Sequence, residues 1–171
     1  TQSPSSAASD VYKRQDLRYE YFGQYSQMFA FSLFYKNFTD PIEMTYYEAA
    51  PNNLTPKNLG SAIVGGVEIE MRKNLSFINS SLRDFSVNVN ISFIESRLTY
   101  AESERNLREN TLKDGQTLGT YRTLQGQAPF LINSGINYAN PDKGIQTGIF
   151  YNVQGRTLEV VGTGFFPDVY T

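Results

Sequence analysis

The 171-residue chain contains no cysteine, no histidine and no tryptophan. Without cysteine there is no disulfide framework, no thiolate nucleophile and no cysteine-ligated metal. Without histidine the chain lacks the commonest general base and the commonest zinc ligand, and no Ser-His or Cys-His pair can form. We therefore expect no catalytic residues, no cofactor and no metal site, and we expect that the chain is not an enzyme.

Long apolar runs and an excess of charge of one sign are missing as well. No apolar run approaches the ~20 residues that a membrane-spanning helix needs. The 15 basic and 17 acidic residues give a formal net charge of −2, which argues against nucleic acid as a partner. The chain does contain 12 Phe and 12 Tyr, and these aromatic residues favour β-strands.

The segment from Leu82 to Ile94 shows the clearest pattern in the chain. From Asp84 to Phe93 its odd positions are apolar and its even positions are polar; the apolar set is Phe85, Val87, Val89, Ile91 and Phe93. Successive side chains of a strand point to opposite faces, so this segment predicts a strand with one apolar and one polar face. A helix would scatter the same residues around its circumference.

Alternation of this kind recurs along the chain and predicts six strands: Asp16–Phe22, Met28–Thr39, Ala62–Lys73, Leu82–Ile94, Pro129–Tyr138 and Ile145–Gln154. The connections between them are alternately short and long, and the long ones are 40–61, 98–127 and 155–171. Gly65 and Gly66 inside the third strand indicate a bulge or a close backbone approach. Charge of both signs is dense from Glu102 to Asp114, where we expect a solvated loop.

Strand length and loop rhythm decide what the apolar face contacts. Soluble strands average about 5 or 6 residues, whereas a tilted strand crosses an outer membrane in about 9 to 11, with short turns on one side and long loops on the other. Aromatic residues also lie near strand ends, as in an interfacial girdle. We predict an all-β fold, an antiparallel up-and-down meander of about six long amphipathic strands that forms an open segment of a transmembrane β-barrel. Val87, Val89 and Ile91 should then be exposed on its convex face.

A second interpretation remains open. The same alternation is compatible with a soluble or surface-attached β-sandwich or adhesin, in which the apolar face lies against a core and the long loops bind a partner. The two interpretations differ in behaviour, since a lipid-facing surface predicts aggregation in buffer without detergent.

The order of segments resembles the late barrel strands of TonB-dependent outer-membrane receptors, most closely those of the Bacteroidetes type. The resemblance runs from Asp16 to Thr171 through DLRYEYF, FSLFYKNFTDPIE, GGVEIEMRKNLSF, LRDFSVNVNISFIESRL, TLQGQAPFLINSGINY, GIFYNVQGRTLEVVG and FPDVY. LQGQAPF and the GVEIEMRK strand are its most specific pieces. The other segments are generic amphipathic strands.

This resemblance implies a transport function in the bacterial outer membrane. Family members place an N-terminal plug inside a barrel of 22 strands and import scarce ligands such as iron chelates, cobalamin, glycans or peptides. The chain shows no plug, no TonB-contacting segment and only six strands, so we expect a fragment of the C-terminal half of the barrel. The implied partners are outer-membrane lipid and an unknown small-molecule ligand, with TonB and the plug reached through the missing parts of the protein.

The first 15 residues differ from the remainder of the chain. They are rich in serine and alanine and show no periodicity. Two interpretations apply: a disordered terminus, or a non-native leader, because SSAASDVYKRQ resembles a translated adaptor-type scar. We therefore assign 1–15 to a leader and 16–171 to the partial barrel.

Two groups of residues are candidates for function. The first projects to the polar, lumen-facing side and comprises Arg18, Glu20, Lys36, Glu68, Glu70 and Arg72. These residues either grip a plug or line a ligand path, or they form cross-strand ion pairs in a wet lumen, and we favour the ion pairs. The second group is Tyr46 and Tyr47 in the first long loop. Either they stack on a sugar or an aromatic chelate, or they pack the loop down.

Overall fold

A computed structural model describes residues 11–24, 27–47, 50–163 and 166–171. Within these ranges the chain is mostly strand, with short helices confined to the connections. The strands are β1 (Val11–Phe22), β2 (Met28–Thr39), β3 (Ile42–Tyr47), β4 (Ala50–Asn58), β5 (Ser61–Asn74), β6 (Phe85–Thr99), β7 (Tyr121–Arg122), β8 (Phe130–Asn140), β9 (Ile145–Gln154), β10 (Leu158–Val160) and β11 (Val169–Tyr170). The helices are α1 (Glu102–Glu109) and two 3-10 turns, Leu75–Phe77 and Ser80–Leu82.

The main sheet is an antiparallel up-and-down meander. Its strands lie in the order β1-β2-β5-β6-β8-β9, and the two-residue strand β7 pairs with the end of β6. Every neighbouring pair is antiparallel. Among the described residues β1 and β9 do not pair with each other, so the sheet is open. The predicted all-β meander is therefore confirmed.

Four of the six long strands have bounds within two residues of the predicted ones, and β1 and β6 differ more. β2 and β9 have the predicted bounds. β6 begins at Phe85 rather than Leu82, because the side chain of Asn79 accepts the Ser81 N–H and starts a 3-10 turn. It continues to Thr99, since β7 pairs with its last residues.

β1 begins at Val11, inside the segment that was assigned to a disordered or non-native leader. Residues 11–15 pair with residues 35–39 of β2, so this part of the segment is ordered strand and the predicted boundary at residue 15 differs from the structure. Residues 1–10 lie outside the described ranges. The pairing does not bear on the origin of the segment, which stays a prediction.

In-register pairing brings most apolar residues of the six strands to one face of the sheet, although Phe34, Val64, Ile94, Leu131 and Phe150 lie on the other. This apolar face comprises Leu17, Tyr19, Tyr21, Phe29, Phe31, Leu33, Tyr35, Ile63, Val67, Ile69, Met71, Phe85, Val87, Val89, Ile91, Phe93, Phe130, Ile132, Ile136, Tyr138, Ile145, Ile149, Tyr151 and Val153. Many of these side chains are exposed, with Ile149 at 78% and Leu17 at 67%. The face is therefore continuous across the six strands.

The central residues of the apolar face are less exposed than predicted. Val87, Val89 and Ile91 are half-buried rather than exposed. Side chains of the strands on either side cover them laterally, as Ile69 and Ile132 do for Ile91. The buried apolar cluster of the described residues lies elsewhere, so these three do not belong to a closed core.

The glycine pair in β5 marks a close approach and not a bulge. The pairing of β5 with both neighbours runs through Gly65 and Gly66 without a register shift. A Cβ built on Gly66 would lie 2.4 Å from Cζ of Phe34, whose ring packs over this glycine on the polar face. Gly65 is looser, because its nearest such neighbour is the Phe34 carbonyl oxygen at 3.7 Å.

The long connections fold into compact structure at one end of the sheet. β3 and β4 form a hairpin, β10 pairs with β11, and a bridge joins Thr45 to Val161. The small buried core consists of Leu59, Leu158 and Val161. The expectation of a solvated loop at 102–114 is wrong for its first part, which is the helix α1. In the described part of the chain no helix is long and apolar enough to cross a membrane.

We expect Gly66→Ala to lower the free energy of unfolding by about 1–3 kcal/mol, because the new methyl group overlaps the Phe34 ring and a backbone oxygen. Gly65→Ala is the matched control. It should be neutral or raise the free energy of unfolding by up to about 1 kcal/mol through the unfolded state. Urea denaturation of both variants in detergent, followed by circular dichroism, measures the difference; equal effects would contradict the proposed contact.

Candidate functional site

The three long connections lie at the same end of the sheet. The connections follow β2, β6 and β9. These three strands run in the same direction because neighbouring strands of the meander are antiparallel, so all three end at the same side of the sheet. We call the described residues of 40–60, 100–128 and 155–171 the loop cap. Its parts contact one another through a chain of buried and half-buried charged side chains, which no single connection contains.

Arg122 of β7 lies at the centre of this chain of charges. Its guanidinium donates two hydrogen bonds to the Glu43 carboxylate, at 3.0 and 2.6 Å, and two to Glu104, at 2.8 and 3.2 Å. A fifth goes to the Thr123 carbonyl at 3.1 Å. All five N–H groups of the arginine therefore have an acceptor. The side chains of Arg122 and Glu43 are only 5% and 1% exposed.

Arg108 of α1 extends the chain of charges to the third connection. It donates from Nε to Glu104 at 3.0 Å, one turn back along the helix, and to both oxygens of Asp168 at 3.2 and 2.8 Å. Asp168 also accepts the Gly162 N–H at 2.7 Å. Acids and bases thus alternate from Glu43 through Arg122, Glu104 and Arg108 to Asp168, and we call these five residues the ion chain.

The ion chain changes the protonation equilibria of its members. Burial by itself would lower the pKa of Arg122, but the hydrogen bonds to Glu43 and Glu104 outweigh it and raise that pKa above its ordinary value. Burial would likewise raise the pKa of Asp168, yet the hydrogen bonds from Arg108 and Gly162 lower it. Both groups are therefore held in their charged forms.

Gln125, in the LQGQAPF stretch, ties the backbone of the loop cap together. Its side-chain oxygen accepts the Met44 N–H at 2.6 Å, and its amide donates to the carbonyls of Met44 and Glu159 at 3.0 and 2.5 Å. Its own backbone N–H donates to Glu43 at 2.7 Å. Gly126 follows with φ +74°, a left-handed conformation that favours glycine, and donates to the Leu158 carbonyl.

A cavity of about 100 Å³ lies beside the ion chain. The β3–β4 hairpin, α1 and residues 161–163 enclose it, and its lining residues are Thr45, Lys57, Leu59, Ser103, Glu104, Leu107, Arg108, Val161, Gly162 and Thr163. The hydroxyls of Thr45 and Thr163 are buried and have no hydrogen-bond partner among the described residues. The cavity thus combines apolar walls with a few polar groups, as small-molecule sites do.

The predicted lumen-facing residues share the polar face, and the structure brings three of them together. Arg18 donates to Glu20 and, across two strands, to Glu70 at 3.0 Å, and it also reaches the Ser32 hydroxyl at 3.1 Å. The Arg18–Glu70 pair connects β1 to β5, two strands away, whereas Arg18 and Glu20 lie on the same strand.

The other three lumen candidates are placed less closely. Lys36 and Glu68 line a groove of about 420 Å³ on the polar face together with Arg18. The ammonium group of Lys36 lies 5.1 Å from the centre of the Phe34 ring. Arg72 is exposed on β5. Glu68, Glu70 and Arg72 are every second residue of this strand and therefore share the polar face.

The two loop tyrosines differ in their surroundings. Tyr46 is half-buried, and its ring packs against Phe166 with 5.2 Å between ring centres. It therefore packs the loop cap, the second of the two roles considered for it. Tyr47 is 49% exposed, so its ring is accessible on the surface of the hairpin.

Sequence reasoning missed the ion chain. Glu43 and Arg122 are separated by 79 positions, and no local pattern connects them. The one available signal was the (i, i+4) spacing of Glu104 and Arg108 inside the charged run, which is typical of a helix face. That signal would have predicted α1 but not the partners from the other connections.

Comparison with protein-family models, with curated proteins and with solved structures finds no match to this chain. The geometry of the chain is therefore the basis for its interpretation. Two features stand out: a sheet with one apolar and one polar face, and a loop cap held by buried ion pairs.

We expect Arg122→Ala to lower the free energy of unfolding by about 3–5 kcal/mol, because it leaves the carboxylates of Glu43 and Glu104 buried without their shared partner. Arg105→Ala, which breaks an exposed pair with Glu109 on the same face of the loop cap's helix, is the control and should cost less than about 1 kcal/mol. Urea denaturation in detergent measures both values. A cost for Arg122→Ala no larger than that of the control would show that the ion chain does not stabilise the loop cap.

The lowered pKa of Asp168 predicts a pH dependence. A carboxylate with a lowered folded pKa stabilises the fold above its unfolded pKa, and this contribution disappears as the pH falls through the folded pKa. We expect the wild type to exceed Asp168→Asn in free energy of unfolding at pH 7, and the difference to shrink from about pH 4 downward. Denaturation curves of both proteins between neutral and acidic pH test this, and a difference that grows on acidification would have the wrong sign.

Proposed function

We propose that this chain forms part of the wall of an outer-membrane β-barrel, in a transporter of the TonB-dependent receptor type that imports a scarce ligand. One observation carries the proposal. Six antiparallel strands expose a continuous apolar face on one side and present hydrogen-bonded charged and amide side chains on the other. A barrel whose outer surface contacts lipid and whose interior is wet needs this arrangement.

The dimensions of the sheet fit a bilayer. The six long strands contain 12, 12, 14, 15, 11 and 10 residues, against the about 9 to 11 that a tilted membrane strand needs. At ~3.3 Å per residue, the apolar positions from Phe85 to Phe93 extend over roughly 26 Å, close to the ~25 Å apolar band of outer-membrane barrels. On this face Glu95 and Arg97 follow Phe93 at the loop end of β6, and Lys73 of β5 lies opposite Val87 near the turn end.

The exposure of the apolar face supports lipid as its partner. In a sandwich, the apolar face of one sheet packs against a second sheet about 10 Å away. Among the described residues, the only other sheets are the pairs β3–β4 and β10–β11, and their shared core of Leu59, Leu158 and Val161 lies in the loop cap. Large exposed apolar patches are rare on soluble monomers. For this reason we favour the barrel over the sandwich or adhesin.

The polar face supports a water-filled interior. Arg18 connects three strands through Ser32 and Glu70, and on the other half of the sheet Asn137 donates to Asn88 at 2.8 Å. Cross-strand pairs of this type tolerate water and would be expensive to bury without partners. In the proposed barrel they line the lumen.

The remaining parts of the proposal rest on the resemblance to the receptor family. The ligand would be an iron chelate, cobalamin, a glycan or a peptide, met first by the loop cap on the outer side. The plug and the segment that contacts TonB would belong to parts of the receptor outside these 171 residues. The open edges at β1 and β9 would pair with further strands of the barrel.

The absence of tryptophan makes a single introduced indole a clean reporter of lipid contact. We expect Tyr151→Trp, on the apolar face of β9, to emit at short wavelength in phospholipid vesicles and to be quenched by lipids brominated on their acyl chains. The reason is that its side chain would lie in hydrocarbon. Fluorescence spectra with and without the brominated lipid measure this.

Asn152→Trp is the matched control, since it is the next residue of the same strand and points to the opposite face. It should respond to a water-soluble quencher instead of the brominated lipid. Equal lipid quenching at both positions would contradict the proposal. A wild-type chain that stays monomeric in buffer without detergent would also contradict it, and would favour the soluble sandwich.

A further inference from the structure

A contact between a cation and an aromatic ring lies at each end of the apolar face on the β5–β6 pair. At the turn end, Nζ of Lys73 is 4.4 Å from the centre of the Phe77 ring. At the loop end, Cζ of Arg97 is 5.1 Å from the centre of the Tyr121 ring. Lys73 and Arg97 occupy strand positions that belong to the apolar face, so both contacts lie at its borders.

The connection from β5 to β6 is folded by its own hydrogen bonds. It forms two 3-10 turns, and the side chains of Asn74 and Asn79 each accept the backbone N–H of the residue two positions later, at 2.8 and 2.9 Å. Phe77 and Ile78 nevertheless remain 62% and 64% exposed. This folded turn therefore adds two large exposed apolar side chains at the end of an apolar face, which is typical of a surface that contacts a partner.

The spacing of the two cations fits the thickness of a bilayer. Lys73 is paired with Val87 and Arg97 with Ile63, so the two charged residues are ten positions apart along the strands. At ~3.3 Å per residue this is roughly 33 Å along the strand, or about 25 Å along the bilayer normal for the ~40° tilt of barrel strands. The apolar band of outer-membrane barrels is ~25 Å tall, so the two contacts would lie at its two boundaries.

The charge at the borders of the apolar face is predominantly positive. Among the described residues of the six long strands, the charged ones on this face are Lys13, Lys73, Glu95 and Arg97, although the whole chain has a net charge of −2. Arg97 is paired with Glu95 at 2.5 Å, whereas the two lysines form no salt bridge within the described ranges. An unpaired ammonium at the border of a hydrocarbon layer is complemented by a lipid phosphate.

We propose that Lys73 and Phe77 form a headgroup anchor, which contacts the phosphate groups of lipids at the turn end of the sheet, and that Arg97 and Tyr121 lie in the opposite headgroup layer. The Lys73 stem lies against acyl chains and its ammonium contacts a phosphate, while the Phe77 ring lies between headgroups and hydrocarbon. The headgroup anchor favours lipids of net negative charge, such as phosphatidylglycerol, over net-neutral phosphatidylcholine. It rests on the proposed function, because it requires that the apolar face meets a bilayer.

Depth-dependent quenching tests where the two rings lie. The chain contains no tryptophan, so Phe77→Trp and Tyr121→Trp each introduce a single indole in place of an aromatic ring. In phosphatidylglycerol vesicles we expect both to be quenched more by lipids brominated near the headgroup than by lipids brominated near the end of the acyl chain. Ile91→Trp, whose position on β6 lies between the levels of Lys73 and Arg97, should show the reverse order.

Vesicle binding tests the role of the Lys73 charge. We expect Lys73→Gln to lower the ratio of the affinities for phosphatidylglycerol and phosphatidylcholine vesicles about fivefold at low salt, the contribution of one lysine at a charged membrane surface. Lys73→Arg retains the charge and should retain the ratio. Lys36→Gln is the matched control, because Lys36 also lies over a phenylalanine ring, 5.1 Å from the centre of Phe34, but on the polar face. It should leave the ratio unchanged.

Two outcomes would overturn the headgroup anchor. One is that Phe77→Trp or Tyr121→Trp responds only to a water-soluble quencher; the other is that Lys73→Gln and Lys36→Gln change the affinity ratio equally. Either result leaves the proposed function in place if Ile91→Trp is quenched from within the acyl chains. If no brominated lipid quenches Ile91→Trp, the apolar face does not meet a bilayer, and the proposed function and the headgroup anchor fail together.

Discussion

In-register pairing of six strands is the constraint on which the architecture depends. Side chains alternate between faces with a period of two, so a slip of one residue in any pair would move that strand's apolar residues to the polar side. The pairings of β2, β5, β6, β8 and β9 run without a shift, and Phe31, Ile69, Ile91, Ile132 and Val153 consequently form one row across the sheet. The turn at Gly144, with φ +63°, and the packing of Phe34 over Gly66 keep the backbone in this register.

The ion chain fixes how the connections of the loop cap dock together, and the strand register fixes which side chains share a face of the sheet. A buried arginine is costly unless each of its donors finds an acceptor, and Arg122 meets that condition through Glu43, Glu104 and Thr123. Because the acceptors come from different connections, the geometry is satisfied only when the connections are docked together. Specific docking, more than net stability, is the expected gain, since an apolar replacement of such a cluster is often no less stable.

The strand register shapes the sheet and the ion chain shapes the loop cap, so the two parts of the molecule have different proposed roles. In the proposed barrel the sheet would present its apolar face to lipid and its polar face to the lumen. The loop cap contains a cavity of about 100 Å³ whose lining residues come from all three long connections. In the proposed transporter, the loop cap would meet the ligand before transport.

The sequence by itself determined the six long strands and their apolar faces, because period-two alternation is a local property that six segments display independently. It located β2 and β9 to the residue, and it placed Arg18, Glu20 and Glu70 on one face. Only the tertiary structure decided the contents of the long connections. Glu43, Glu104, Arg122 and Asp168 are far apart in the chain, and their pairing depends on where antiparallel strand order delivers the loops. Likewise, the half-burial of Val89 follows from lateral neighbours and the cavity at Thr45 from docking, and neither leaves a periodic trace in the sequence.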